Sequence, residues 1–487
     1  MRTSTCKTFS ILGVDALTVN VAAAAEPGPD RFALVGLSET SIRECAVRVE
    51  TAIEAAGFLW PKGRITVDLA PADLHKEGSG FDLPIAAAIL TASRQIGPLD
   101  GLALVGELAF DGRVLPIRGA LPAALEAGRG AILVIPEGNA LEASAAEAGC
   151  VLSLSHISEL PDLLTTLRSV QEQHPSLAWT KEPSGIPAWF PTDPSSIDMA
   201  DVHGQPAARR AMEVAAAGGH SLLLQGPPGT GKTMLARRLT TILPPLTRPE
   251  AVETSTVYST RGLLPPGEGL LRTRPFRAPH HTISTAALMG GGIGGPRAGE
   301  VSLAHNGVLF LDELPEFQRS TLDMLPAAME GGEVAIGRAS RTVRFPAKLQ
   351  LVASMNPCPC GYHGDSRCSC STRSVESYQG RIAERLLDQI DLRVEVQPIT
   401  HRQLANVEPG ESSAAIRERV IAARDFRAQH PEKTIAEEAH ALLPAGVHDV
   451  ERRRICAVAM TIADLDASQE ATAAHVEEAI GLCRDQK

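Results

Sequence analysis

Gly226-Pro227-Pro228-Gly229-Thr230-Gly231-Lys232-Thr233 stands between the apolar run Ser221-Leu222-Leu223-Leu224-Gln225 and Met234-Leu235-Ala236-Arg237-Arg238-Leu239. The first flank predicts a buried strand and the second a helix. Glycines at 226, 229 and 231 permit backbone torsions that side chains forbid, so successive N–H groups can turn toward phosphate oxygens at a helix N-terminus. Lys232 is then the group that reaches the β- and γ-phosphates, and the Thr233 hydroxyl is a ligand for magnesium. A glycine turn beside a chance lysine explains neither flank.

Hydrolysis needs acids at the end of a second strand, and Gly307-Val308-Leu309-Phe310-Leu311-Asp312-Glu313 supplies them. Asp312 is expected to hold the magnesium and Glu313 to polarise the attacking water. Alone, such a pair could equally cap a helix. A third run, Leu349-Gln350-Leu351-Val352-Ala353-Ser354-Met355, ends in Asn356, a neutral polar group suited to orienting that water. Phosphate loop, acidic strand and polar strand end, in that order, resemble the AAA+ ATPases.

With 487 residues the chain has room for two to four domains. It has no uninterrupted apolar stretch of about 18 residues that would span a membrane, and Met1–Lys7 does not begin a signal peptide, so a cytoplasmic location is expected. The nine cysteines are an odd number, four of them between 358 and 370, which points to thiols or metal rather than a disulfide frame. A formal net charge of −11 provides no global field for nucleic acid, so any such binding needs a local basic surface.

Residues from about 9 to 170 alternate short β-like runs (32–37, 64–69, 131–135) with helical ones (40–56, 120–127), an α/β or α+β pattern. Val35-Gly36-Leu37, Ile65 to Leu74 with Lys76-Glu77-Gly78, and Phe81-Asp82-Leu83-Pro84-Ile85-Ala86 resemble the N-terminal domain of the ComM/YifB family, bacterial magnesium-chelatase-like AAA+ ATPases. That domain is similar in fold to the Lon protease domain. Aligned on it, the nucleophile position falls on Gly80 and the lysine position on Leu121, neither able to act, and Ser79 is one residue out of register. The resemblance therefore implies a catalytically inactive Lon-like domain over 1–170, a linker at 171–196, an AAA+ core over 197–400 and a helical lid over 401–487.

Further positions follow from the same resemblance. Asp201-Val202-His203-Gly204-Gln205 is similar to the segment beside the adenine, which makes Val202 and Gln205 candidate contacts; an ordinary amphipathic helix is the alternative. Pro275-Phe276-Arg277-Ala278-Pro279-His280-His281-Thr282 is a family signature, and around it lie Arg272, Arg274 and Arg297. In the family this insertion faces the ring's central channel, and its charge would suit a phosphate backbone as well as plain solvent. A glycine run over 290–295 lacks the preceding strand that a dinucleotide fingerprint needs. Arg341 and Arg344, on an expected hairpin between Glu333 and Phe345, are a second candidate basic contact. Pro357-Cys358-Pro359-Cys360-Gly361-Tyr362, closing with Cys368-Ser369-Cys370, offers four thiols for zinc or leaves them free in a loop. His280-His281 has no third ligand nearby, so a structural role is favoured.

A helix is expected over 378–390, a strand over 391–396 and helices from 401 on, with Ile455, Val458, Ala459, Ile462 and Leu465 on one face. Two positions depart from the family. Its Leu-Leu-Asp-Arg-Ile-Asp reads Leu386-Leu387-Asp388-Gln389-Ile390-Asp391 here, so Gln389 replaces the arginine finger, with Arg385 one turn earlier as a substitute. Val450 stands where the lid's sensor arginine would be. The resemblance implies a ring, expected to be a hexamer, that binds ATP and Mg2+ and couples hydrolysis to movement on single-stranded or branched DNA in recombination of incoming DNA, with other recombination proteins as partners. The alternatives are an ATP-driven remodeller of a protein or metal complex and a nucleotide-binding scaffold without turnover.

Overall fold

The computed structural model describes residues 1–173 and 197–484, except 73, 75, 77, 129–130, 148, 266, 293–294, 339–340, 400–409 and 444–448. Most of the expected linker, 174–196, lies outside the described residues. The chain divides into two compact units: the described residues of Met1–Trp189, Arg248–Leu271 and Ile293–Arg297 form one, and those of Phe190–Thr247, Arg272–Gly292 and Ala298–Lys487 form the other. Both mix parallel strands with helices.

The first unit is built on a seven-stranded sheet of β1 (Arg2–Leu12), β2 (Asp15–Glu26), β3 (Arg31–Val35), β4 (Arg64–Ala70), β5 (Leu102–Leu104), β6 (Ile132–Pro136) and β7 (Cys150–Leu154) in the order β3-β4-β2-β1-β5-β6-β7. β1 and β2 form a long antiparallel hairpin in register from Arg2↔Ala25 to Leu12↔Asp15. The Asp82–Ala92 helix is buried on nearly every side, so its sequence shows apolar residues all round rather than a stripe. Its Asp82 is held by Arg48, Nε to Oδ2 at 2.7 Å and Nη2 to Oδ1 at 3.3 Å. Burial pushes the Asp82 carboxyl above its ordinary range, against the pull of Arg48. The Arg248–Arg261 helix belongs to this unit: the Ser259 carbonyl accepts from the Gly119 N–H at 3.1 Å, and the Arg248 guanidinium meets Glu147 at 2.7 Å.

The second unit contains a five-stranded, all-parallel sheet of β8 (Leu222–Gln225), β9 (Phe276–Arg277), β10 (Val308–Leu311), β13 (Gln350–Met355) and β14 (Leu392–Glu395), ordered β9-β10-β13-β8-β14. A separate antiparallel hairpin, β11 (Glu333–Arg338) with β12 (Arg341–Pro346), precedes β13. Alternate strand residues enter two different cores. Leu222, Leu224, Val308, Phe310 and Val352 pack with Ile416, Val420, Ile455, Val458 and Val476 from the C-terminal helices. Leu223, Leu309, Leu311 and Leu351 pack on the other face with Leu325, Tyr378 and Leu386. Burial on both faces is why these strands read as continuous apolar runs.

One expected element is corrected. No single helix covers 378–390: one helix, Thr372–Gln379, stops at Gly380, and a second, Glu384–Leu387, is capped at Asp388. The Gly380 N–H still bonds the Glu376 carbonyl, but Arg381 and Ile382 take three-residue bonds to Tyr378 and Gln379, which tightens and ends the turn.

Candidate active site

β8 runs into the 226–231 loop, and the Lys232–Ile242 helix follows with Gly231 as its N-cap at φ 92°. At Gly226 a side chain has no room, because a Cβ would lie 2.3 Å from the Val396 carbonyl oxygen at the end of β14. Lys232 is largely buried, and its Nζ donates to the Gly226 carbonyl at 2.7 Å, the Pro227 carbonyl at 2.9 Å and Asn356 Oδ1 at 3.1 Å. The loop is thus closed on its own lysine, and Thr230 Oγ1 braces it on the Pro227 carbonyl at 3.0 Å. Burial lowers the Lys232 pKa, while Asp312 and Glu313 oppose that shift.

The ends of three adjacent parallel strands converge here. Thr233 Oγ1 donates to Asp312 Oδ2 at 2.9 Å, and Asp312 Oδ1 accepts from the Ser354 hydroxyl. The same hydroxyl oxygen accepts the Glu313 N–H at 3.3 Å, so one serine orients both acids. Glu313 itself has φ 58°, a left-handed conformation that turns the chain sharply after β10. His281 Nδ1 lies 3.8 Å from Glu313 Oε2, with its ring edge-on to Phe317 and against His280. Burial pushes the Tyr378 phenol up to about 12, with Glu316 adding to the shift. Ser354 and Tyr378 are site residues that the sequence reading does not identify, and His281 enters that reading only through the family signature and a metal pair lacking a third ligand. A serine inside the apolar run of β13 was the available signal for the first.

Val202 is fully buried, and Gln205 takes a left-handed φ of 53° with its Nε2 donating to the Gln397 carbonyl at 2.6 Å. That bond lies just past the end of β14, next to the phosphate loop. Cys358, Cys360, Cys368 and Cys370 are free thiols whose sulfurs all lie within 4.8 Å of one another, a set that could hold a metal ion.

The basic residues are less uniform than their sequence suggests. Arg274 donates to the carbonyls of Pro244, Asn306 and Pro245 and so ties turns together. Arg277 forms a two-pronged pair with Glu300 at 2.6 and 2.8 Å, and Arg344 pairs with Glu333 across the hairpin. Arg272 is half-buried, Arg297 is exposed and belongs to the first unit, and the Arg341 side chain is outside the described residues. Arg385 is exposed on its short helix, and Val450 is 42% exposed at the start of the Asp449–Leu465 helix.

In the first unit, Ser79 hydrogen-bonds the Glu107 carboxylate and lines a cavity of about 270 Å³ with Glu44, Arg48 and Asp82, while Leu121 is fully buried. No helix among the described residues is long and apolar enough to cross a membrane.

Residues 198–404 match the family described as magnesium chelatase, subunit ChlI, and residues 21–139 match the one described as subunit ChlI of Mg-chelatase. An uncharacterised protein, YifB, of Escherichia coli is 39% identical over 508 residues, covering 99% of this chain and 97% of the relative. The competence protein ComM of Haemophilus influenzae is 40% identical over 496 residues, covering 96% and 95%. The magnesium-chelatase 38 kDa subunit of Rhodobacter capsulatus is 27% identical over 191 residues, 36% of this chain and 48% of that subunit.

Proposed function

The chain belongs to the ComM/YifB family of magnesium-chelatase-like proteins, and from that membership we propose an ATP hydrolase that assembles as a ring, a hexamer, and uses turnover to move on single-stranded or branched DNA. One observation above all supports the hydrolase reading: the Thr233 hydroxyl and the Asp312 carboxylate face each other across 2.9 Å at the mouth of the phosphate loop. An all-oxygen donor set of this kind suits magnesium. Magnesium, when bound, supplies positive charge against the phosphate oxygens.

The remaining roles belong to the chain. Lys232 exchanges the Gly226 and Pro227 carbonyls for phosphate oxygens, while the loop's N–H groups hold the others. Ser354 fixes the carboxylate plane of Asp312 and the backbone of Glu313. Glu313 takes a proton from water as the water oxygen bonds the γ-phosphorus and the bond to the β-phosphate oxygen breaks. Asn356, released from Lys232, orients that water. Gln205 borders the adenine through its backbone and apolar stem, because its amide is already engaged, whereas Val202, expected from the sequence to touch the adenine, is fully buried in the core behind it and has no surface to offer. His281 steadies the Glu313 carboxylate as a positioning residue.

The DNA reading draws on the 40% identity to a competence protein together with the exposed arginines at 297 and 344. The Lon-like first domain, the linker and the lid remain the organisation we propose around this core, and homologous recombination of incoming DNA is the process we propose it serves. A scaffold without turnover is the second reading, favoured by the uncharged Gln389 and Val450. Measuring ATP hydrolysis with and without single-stranded and branched DNA separates them. Turnover that rises with DNA supports the motor; binding without turnover in assembled rings supports the scaffold.

A further inference from the structure

Residues 357–371 form a loop that has little apolar interior of its own. Pro359, 363–367 and Ser369 are exposed, and Cys358 and Gly361 are its only buried residues. Turns shape it: the Gly361 N–H bonds the Cys358 carbonyl at 2.9 Å, the Cys368 N–H bonds the Asp365 carbonyl at 2.9 Å, and Arg367 lies over the Tyr362 ring at 4.3 Å while pairing with Asp365. These turns bring four sulfurs together from two Cys-x-Cys pairs. The separations are 3.3 Å between Cys358 and Cys360, 3.9 Å between Cys358 and Cys368, and 3.7 Å between Cys360 and Cys368. Four thiolates around one zinc at about 2.3 Å stand about 3.8 Å apart by tetrahedral geometry, whereas a disulfide needs sulfurs about 2 Å apart.

Two contacts join this loop to the nucleotide site. Gly361 has φ 86°, and a Cβ there would sit 2.5 Å from Cδ of Pro228, so its bare backbone packs on the phosphate loop. Asn356, two residues before Cys358, accepts the Lys232 ammonium. We propose that Cys358, Cys360, Cys368 and Cys370 bind one zinc ion and that the metal-folded loop buttresses the phosphate loop through Gly361 on Pro228, so that metal occupancy sets nucleotide affinity. The second half rests on the nucleotide-binding reading of the preceding section; the first half does not.

The full chain, purified without chelator, should contain about one zinc per polypeptide by elemental analysis, and cobalt substitution should give the visible bands of a tetrahedral thiolate site. Cys370→Ser should hold less than about a fifth of an equivalent. Hydrogen exchange should then rise in residues 226–233, and affinity for a fluorescent ATP analogue should fall about tenfold or more. Gly361→Ala separates fold from coupling: it should retain the full equivalent of zinc and lose nucleotide affinity by a similar factor. Protein that contains no metal and takes up neither zinc nor cobalt overturns the site. A zinc-loaded Gly361→Ala variant with parental exchange at 226–233 and parental affinity overturns the coupling. Zinc-loaded parent protein that binds no nucleotide at all refutes the ATPase reading and the coupling together, and leaves the metal count standing.

Discussion

Arg385 and Gln389 converge on one carboxylate: Nη2 of Arg385 lies 3.7 Å from Oε2 of Glu330, and Nε2 of Gln389 donates to Oε1 of the same residue at 2.9 Å. They do so although the helix expected to place them one turn apart ends at Leu387. The tightened bonds from Gln389 N–H to Leu386 and from Ile390 N–H to Leu387 keep the two side chains on one side. All three groups are solvent-accessible, so the arrangement is easily opened. A guanidinium is therefore available at 385, on the same side as the uncharged Gln389.

If Arg385 serves as the finger for a neighbouring subunit, Arg385→Ala should reduce hydrolysis by on the order of 10³ or more while ATP still binds. Gln389→Arg should then change the rate little. Steady-state hydrolysis on assembled rings checks both. A slow parent enzyme whose rate rises many-fold with Gln389→Arg would instead support the scaffold reading.

Lys232→Ala removes the mobile cation of the phosphate loop and leaves three acceptors, the Gly226 and Pro227 carbonyls and Asn356, without their donor. Titration with a fluorescent ATP analogue should show affinity lowered by about a hundredfold or more, given about 1.5–3 kcal/mol for each hydrogen bond to a charged group. Parental affinity in this variant would contradict the assignment of the loop.

Glu313→Gln keeps the backbone bond to Ser354 but cannot accept a proton. Turnover should fall by about 10² or more with ATP binding retained, trapping an ATP-bound ring. His281→Ala should lower turnover less, because the neighbouring imidazole no longer meets the carboxylate. A Glu313→Gln protein that hydrolyses at the parental rate would remove this residue from the mechanism.

Among the arginines, Arg344 is the cleaner probe of DNA: its side chain is 66% exposed, whereas Arg277 is 31% exposed and engaged with the partly buried Glu300. Arg344→Ala and Arg297→Ala should weaken DNA binding with little effect on basal hydrolysis. Each lost phosphate contact should reduce the slope of log affinity against log salt by about one unit. Arg277→Ala should do the same and also lower thermal stability.

Lys433 and Asp464 form an ion pair at 2.7 Å with side chains only 2% and 3% exposed. Asp464→Ala leaves a buried ammonium unmatched and should destabilise the C-terminal helices by about 3–5 kcal/mol. Chemical unfolding followed by hydrogen exchange in residues 449–483 measures it. A loss below 1 kcal/mol would mean that water reaches Lys433.

Much of the second unit was legible in the sequence because β8, β10 and β13 are buried on both faces and read as unbroken apolar runs. The hairpin of β1 and β2 was not. Its inward positions include Ser4, Thr8 and Ser10, small polar groups that hide the two-residue alternation, and β2 contains Val21-Ala22-Ala23-Ala24-Ala25, a helix-favouring composition. The Arg248–Arg261 helix was also invisible, since its buried face includes Thr254, Ser255, Thr256 and Ser259. At the site, motif order alone identified Lys232, Thr233, Asp312, Glu313 and Asn356 as candidates, and the structure brings them together. The role of Ser354, and the place of His281 beside Glu313, emerge only when separate segments meet. The break at Gly380 could have been suspected from the glycine itself.

The strand that leads into the phosphate loop lies between two partners encoded far downstream: Leu222 pairs with Val352 on one side and with Leu392 on the other. A nascent chain translated at about 5–20 residues per second must therefore carry this apolar strand unpaired for roughly 7 to 26 s after it is made, until the first of those partners has been synthesised. During that interval the leucines at 222–224 are exposed to any aggregation-prone neighbour or chaperone. Yield in the cell should therefore depend on synthesis speed and growth temperature more steeply than the stability of the finished molecule would indicate.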